Sequence, residues 1–264
     1  MSSRRSSPRG TTRSSRRRRE ITAQRWLGRA GVSGRRRSCS YLPRRASRSS
    51  RCSRAWKQTW RIAGRDLDEA KDAARAFAEE EGLRFFEDGA EPLQYEAYGA
   101  IGDEILDQCP SLPAAVVTPI GNGALAGGVG AAIGRRAPDT LRVGVVAKEM
   151  PVMAASYDAG VVVEAPLGTT IADGLAVRVA IPLAVERLAT AVDLMLRVSE
   201  RSIAEALVAC HDAGVAVEPS AAAALAAVRD SPDNTGGGRI VLVMTGRNVD
   251  HAVVVRARSN VDSF

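Results

Sequence analysis

Val116, Val117, Thr118, Pro119 and Ile120 give way to Gly121, Asn122, Gly123, Ala124 and Leu125, and then to Ala126, Gly127 and Gly128. A β-branched run thus breaks into glycines and enters a helix of small residues. That order suits a phosphate cradle, because glycines let the backbone approach an anion and a helix opening near Ala124 adds amide donors and the positive end of its dipole. Gly121, Gly123 and Ala126 also satisfy G-x-G-x-x-A, the dinucleotide fingerprint, but neither Asp139 nor Glu149 falls where that fingerprint wants its acid. Plain helix–strand packing is the third reading of the same glycines. Thr245 closes an apolar run, so its hydroxyl is expected at the carboxyl end of a strand, where ligand crevices lie. Glu218 puts a carboxylate at the head of an alanine-rich helix, although Pro219 and Ser220 could be there simply to start it, Ser220 as its cap. Asp173 and Gly174 read as a turn.

The elements that must position these residues alternate. A helix from residue 67, capped by Asp66 with Glu69 completing the box, ends at Gly82, and Phe85 and Phe86 predict a short buried strand. Pro92 opens a helix over 93–108, with Tyr95, Tyr98, Ile101, Ile105 and Leu106 spaced for burial. Strands are predicted at 114–120, 141–147, 194–198, 215–217 and 239–245, and helices at 124–133, 150–157, 182–188, 200–211 (capped by Ser199) and 220–228, with a loop over 231–238. Strands that are apolar throughout indicate a parallel sheet covered by helices on both faces.

Several segments together, in order, resemble one family. They are Phe85-Phe86-Glu87-Asp88-Gly89, the stretch Gln94-Tyr95-Glu96-Ala97-Tyr98-Gly99-Ala100-Ile101-Gly102-Asp103-Glu104-Ile105, the glycine loop, Ile171-Ala172-Asp173-Gly174-Leu175-Ala176-Val177, Val217-Glu218-Pro219-Ser220 and Val243-Met244-Thr245-Gly246-Arg247-Asn248-Val249-Asp250. The chain is similar, over about residues 60 to 256, to the fold-type-II pyridoxal-phosphate enzymes, the group of threonine dehydratase, serine racemase and threonine synthase. The resemblance implies an α/β fold of the tryptophan synthase β type, with Gly121, Asn122, Gly123, Ala124 and Leu125 holding the cofactor phosphate, Glu218 beside the ring and Thr245 as hydroxyl partner of the pyridine nitrogen. Two of the family's four loop glycines are replaced, by Asn122 and Ala124, and Arg247 interrupts a Gly-Gly pair. An intact relative would convert L-threonine or L-serine to a 2-oxo acid and ammonia; threonine synthase or racemase chemistry fits the same motifs. A homodimer is compatible with it.

That chemistry needs a lysine amine to hold the cofactor's aldehyde and move a proton. Only Lys57, Lys71 and Lys148 exist, none in the family's Ser-x-Lys setting, and no Asn-His-Gly loop is present. Lys71 is expected on a solvent-facing helix and Lys148 after a strand. No catalytic residue is therefore assigned, and the protein as written is expected to be inactive. Some relatives bind a divalent cation through a carboxylate where Lys148 stands, so no metal is expected. His211 and His251 read as surface residues.

The charge is split. Of 37 basic and 30 acidic residues, 19 and one respectively fall in the first sixty, a net of +18 against −11 for the remainder. That Arg/Ser-rich stretch buries too little apolar surface to order itself. It reads as a nucleic-acid-binding arm, a targeting peptide or sequence read out of frame. The absent motifs favour the last, with family register returning near Arg61, 61–80 a remnant of the small domain and 81–264 part of the cofactor-binding large domain. Translating the coding DNA in all three frames tests this: the missing motifs should lie upstream of Gly64 in another frame. An arm built to bind nucleic acid would interleave more aromatics than Trp26 and Tyr41, so no nucleic-acid partner is expected. Cys39, Cys52, Cys109 and Cys210 have no metal spacing. With no apolar leader and no uncharged span of membrane length, the acidic body is read as cytoplasmic.

Overall fold

The computed structural model describes residues 38–41, 59–64, 67–166 and 168–264, all within one unit running Arg36–Phe264. Most of the basic stretch, Lys57, Cys52 and the proposed cap Asp66 lie outside the described residues. Two short strands, β1 (Ser38–Tyr41) and β2 (Thr59–Ile62), pair in parallel, and α1 (Leu67–Glu80) follows. The larger sheet has β3 (Ala115–Pro119), β4 (Leu141–Ala147), β5 (Leu194–Val198) and β6 (Ile240–Leu242) in the order β5-β4-β3-β6, every pair parallel. The helices are α2 (Pro92–Gln108), α3 (Ala124–Arg136), α4 (Val152–Ala159), α5 (Pro182–Ala191), α6 (Glu200–Asp212), α7 (Pro219–Asp230) and α8 (His251–Ser259).

Both faces of the sheet are covered because both are apolar. Val117, Val143 and Val145 pack with Ile203, Leu207 and the alanines of α7, while Val116 and Val146 turn the other way, toward the helices of the α3 and α5 side. The alternation is thus real but invisible in hydropathy. Strands 141–147 and 194–198 have the predicted bounds, and Ser199 caps α6 by accepting from the Ser202 N–H.

Several expectations are corrected. Phe85 and Phe86 form no strand among the described residues: Phe86 is exposed, and Phe85 lies under the Arg75 guanidinium. Nor do 215–217, because the chain there is a helix-exit turn: Gly214 and Val215 N–H groups donate back to the His211 and Cys210 carbonyls (3.0 and 2.9 Å). The strand over 239–245 shortens to Ile240–Leu242, with Val243 N–H still donating to the Val117 carbonyl (2.9 Å). Beyond it the Gly246 carbonyl accepts from Glu218 N–H (3.0 Å), which diverts the chain from the ladder toward α7. The predicted loop at 231–238 contains a 3₁₀ turn, Pro232–Thr235. Lys71 is not solvent-facing; its side chain is 15 % exposed and pairs with Asp68 (2.9 Å) and Glu87 (3.2 Å).

Arg142 and Asp193 tie the starts of β4 and β5, through the guanidinium and the Arg142 N–H. Burial alone would raise the Asp193 carboxyl, but the Arg142 hydrogen bonds and charge outweigh it and hold it below its ordinary 3.8. A carboxyl more acidic folded than unfolded stabilises fully above the unfolded value, and that contribution is lost as pH falls through the folded one. Acid titration of stability should therefore show a component below about pH 4 that Asp193→Asn removes; an unchanged acid limb in that variant would refute the assignment.

Candidate cofactor site

One cavity of about 160 Å³ opens at the carboxyl ends of β3 and β6. Gly121, Asn122, Gly123, Ala124, Leu125, Glu218 and Thr245 all line it, so the structure brings every sequence-predicted site residue to one place. Gly174, Ser220, Gly246, Asp88 and Tyr98 line it too.

The loop gets its shape from two glycines. Gly123 is the N-cap of α3 with φ 91°, a left-handed backbone that favours glycine, and no side chain caps the helix. The first helical bond runs from Gly127 N–H to the Gly123 carbonyl (2.9 Å), leaving the amides of the preceding turn without intrahelical partners. Gly121 is needed for space: a Cβ there would run into the Gly174 carbonyl oxygen. The loop is thus pressed against the 3₁₀ turn Asp173–Leu175, of which Gly174 and Leu175, but not Asp173, line the cavity.

The head of α7 supplies a further part of the wall. Glu218 is its N-cap residue, and Asn248 N–H donates to the Glu218 carboxylate (3.3 Å). Ser220 is not the helix cap that the alternative reading of this stretch made it; its hydroxyl accepts from Gly174 N–H (2.8 Å) and locks the turn onto α7. His211, expected at the surface, is half-buried, and its Nε2 bonds the Val217 carbonyl (2.9 Å), fixing the approach to Glu218. His251 is exposed as expected. Thr245 is exposed to the cavity from the segment after β6.

Tyr98 is the site residue that sequence reasoning missed: its spacing with Tyr95 marked it only for the core. Burial, with the Asp88 charge second, pushes its phenol up to about 12, so at neutral pH it remains a hydrogen-bond donor. Tyr95 is buried and raised further, again mainly by burial, and donates to the Gly89 carbonyl (2.6 Å). The cue for Tyr98 was its offset of three residues, about one helical turn, from Tyr95, whose hydroxyl bonds the Gly89 carbonyl.

The phosphate end of pyridoxal phosphate fits this cavity: glycine backbone, an uncapped helix start and its dipole converge there. The covalent end does not fit the described residues. Lys148 is exposed beyond β4, Lys71 is held by two carboxylates, and neither lines the cavity. Burial alone would lower the Lys71 amine, but Asp68 and Glu87 raise it on balance, the opposite of what a nucleophilic amine needs. Among the described residues no group of three or more His, Cys, Asp or Glu could hold a metal ion, and no helix is long and apolar enough to cross a membrane.

This fold and crevice are those of the pyridoxal-phosphate dependent enzymes, and the chain belongs to that family, whose model matches residues 36–246. The match begins upstream of the residue 60 suggested by the motifs. An L-threonine ammonia-lyase of Thermotoga maritima is 33% identical over 196 residues, 74% of this chain and 48% of the relative. One of Geobacter sulfurreducens is 33% identical over 190 residues, 72% and 47%. The processed form of threonine deaminase isoform 2 from Solanum lycopersicum superposes with a TM-score of 0.76 at 26% identity, covering 84% of this chain and 65% of that one. The chain thus spans about half the length of the curated relatives it matches.

Proposed function

We propose that the chain is a threonine/serine dehydratase-like protein that holds pyridoxal phosphate by its phosphate end, without a covalent link and without turnover. The convergence of the glycine loop, the start of α3, Glu218 and Thr245 in one crevice carries this reading. Its relatives' names point to L-threonine or serine as the substrate class. The loop amides would hold the phosphate, Glu218 would flank the ring, and Thr245 would face the pyridine nitrogen. Bound there, the cofactor supplies an electron sink for charge developing at a substrate's α-carbon. A neutral hydroxyl at the nitrogen limits that sink and favours β-elimination over transamination. In this reading 81–264 supply part of the cofactor-binding large domain and 61–80 a remnant of the small one. A cytoplasmic homodimer without a nucleic-acid partner goes with it, the body after residue 60 carrying a net charge of −11.

Borohydride reduction with pyridoxal phosphate, followed by peptide mapping, tests the reading. No stoichiometric pyridoxyl adduct and no 2-oxo acid from L-threonine or L-serine are expected. A stoichiometric adduct on Lys57, Lys71 or Lys148 accompanied by turnover would overturn it.

A further inference from the structure

The loop carries a side chain where its family has glycine, and that side chain has a partner. The Asn122 amide nitrogen donates to Asp88 Oδ2 (3.1 Å), while the other Asp88 oxygen accepts from Gln94 Nε2 (2.8 Å). Gln94 Oε1 in turn accepts the Gly89 N–H (2.8 Å), and Tyr95 closes the set on the Gly89 carbonyl. Gln94 and Tyr95 are buried on α2, so Asp88 and Gly89 are fixed from behind and meet the loop in front. The two backbones touch as well: a Cβ at Gly89 would lie 2.7 Å from the Asn122 carbonyl oxygen.

We propose that Asp88 is a positioning residue for the phosphate cradle, acting through Asn122; this rests on reading the crevice as a phosphate site. An asparagine at the second loop position leaves a polar side chain at the cavity rim that could swing across the loop amides. Asp88 pins it, and through it the left-handed turn into α3. The opposing effect is repulsion between the Asp88 carboxylate and a bound phosphate. Across a solvent-open crevice that repulsion is screened, whereas amide donors on a carboxylate are charge-assisted hydrogen bonds of fixed geometry. Positioning therefore outweighs repulsion.

The experiment uses the full chain and pyridoxine 5′-phosphate, which has no aldehyde to react with lysines, with affinity from calorimetry and folding from thermal melting. Asp88→Ala should weaken binding about tenfold, the worth of one such bond, but by less than about twofold in an Asn122→Gly background. Asp88→Asn, whose single acceptor oxygen can serve Asn122 or Gln94 but not both, should recover binding only in part, to a value between Asp88→Ala and the unaltered chain. A merely structural Asp88 would weaken binding equally in both backgrounds, and a merely repulsive one would give tighter binding in both variants; either result overturns the proposal. Should Asp88→Ala fail to fold, Asp88→Ser, too short to reach Asn122, carries the same comparison. If the unaltered chain does not hold pyridoxine 5′-phosphate, the crevice reading falls and this role with it. Equal losses with that binding intact overturn the role of Asp88 alone.

Discussion

Gly121→Ala should abolish retention of pyridoxal phosphate while leaving the chain folded. The added methyl meets the Gly174 carbonyl oxygen, a backbone atom that no rotamer can move aside. Gly174 cannot retreat freely either, because its N–H is held by Ser220 on α7. The loop must therefore swing away from the turn, which misaims the α3 amides by the fraction of an ångström that hydrogen-bond geometry does not forgive. Hydrogen bonds to a charged group are worth about 1.5–3 kcal/mol each, so losing two weakens binding by roughly a hundredfold or more. Equilibrium dialysis with pyridoxal phosphate measures this, and the melting temperature reports folding. Binding within about threefold of the unaltered chain would show that the loop does not hold the phosphate as argued, since a preserved cradle should not tolerate the lost bonds.

The glycine loop was legible in the sequence because its residue types are dictated by local physics: a left-handed cap at Gly123 and a close approach at Gly121 leave little choice of side chain. Strands 141–147 and 194–198 were legible for a related reason, being apolar runs bounded by turn residues. The misses share another cause. Ser220 obeys the rule for helix starts, but a distant amide, Gly174 N–H, claims its hydroxyl. Lys71 sits on a helix whose pattern shows it to solvent, and only the tertiary placement of Glu87 buries it between carboxylates. Tyr98 has the spacing of a core residue and the location of a site residue, and spacing cannot tell which face of α2 meets a cavity. Val215 and Val217 have the composition of a strand, but the hydrogen bonds of a helix exit claim the Gly214 and Val215 amides, and spacing alone does not show that.

Leu207→Ala should be among the more damaging truncations in the core, and its effect should reach the site. Leu207 is fully buried on α6 among Ile203, Cys210 and α7, whose Ala222, Ala223 and Ala224 are also fully buried. Alanines let the two helices approach closely, but they have no reach, so nothing on α7 can fill the space a leucine vacates. Leu→Ala losses rise with the cavity that remains, and a site that cannot collapse belongs near the upper part of the range, about 3–5 kcal/mol. For a domain of this size that lowers the melting temperature by about 10 °C. The exposed Val255→Ala on α8 should cost less than about 0.5 kcal/mol and serves as the control. Because α7 carries Glu218 and Ser220 at its head, any tilt of that helix also loosens the Gly174 turn, so ligand affinity should fall along with stability. Urea and thermal denaturation measure the first effect and calorimetry with pyridoxine 5′-phosphate the second. A loss below about 1 kcal/mol would mean that α6 and α7 repack around the gap, and the rigid seating of α7 that the crevice depends on would then have to be abandoned.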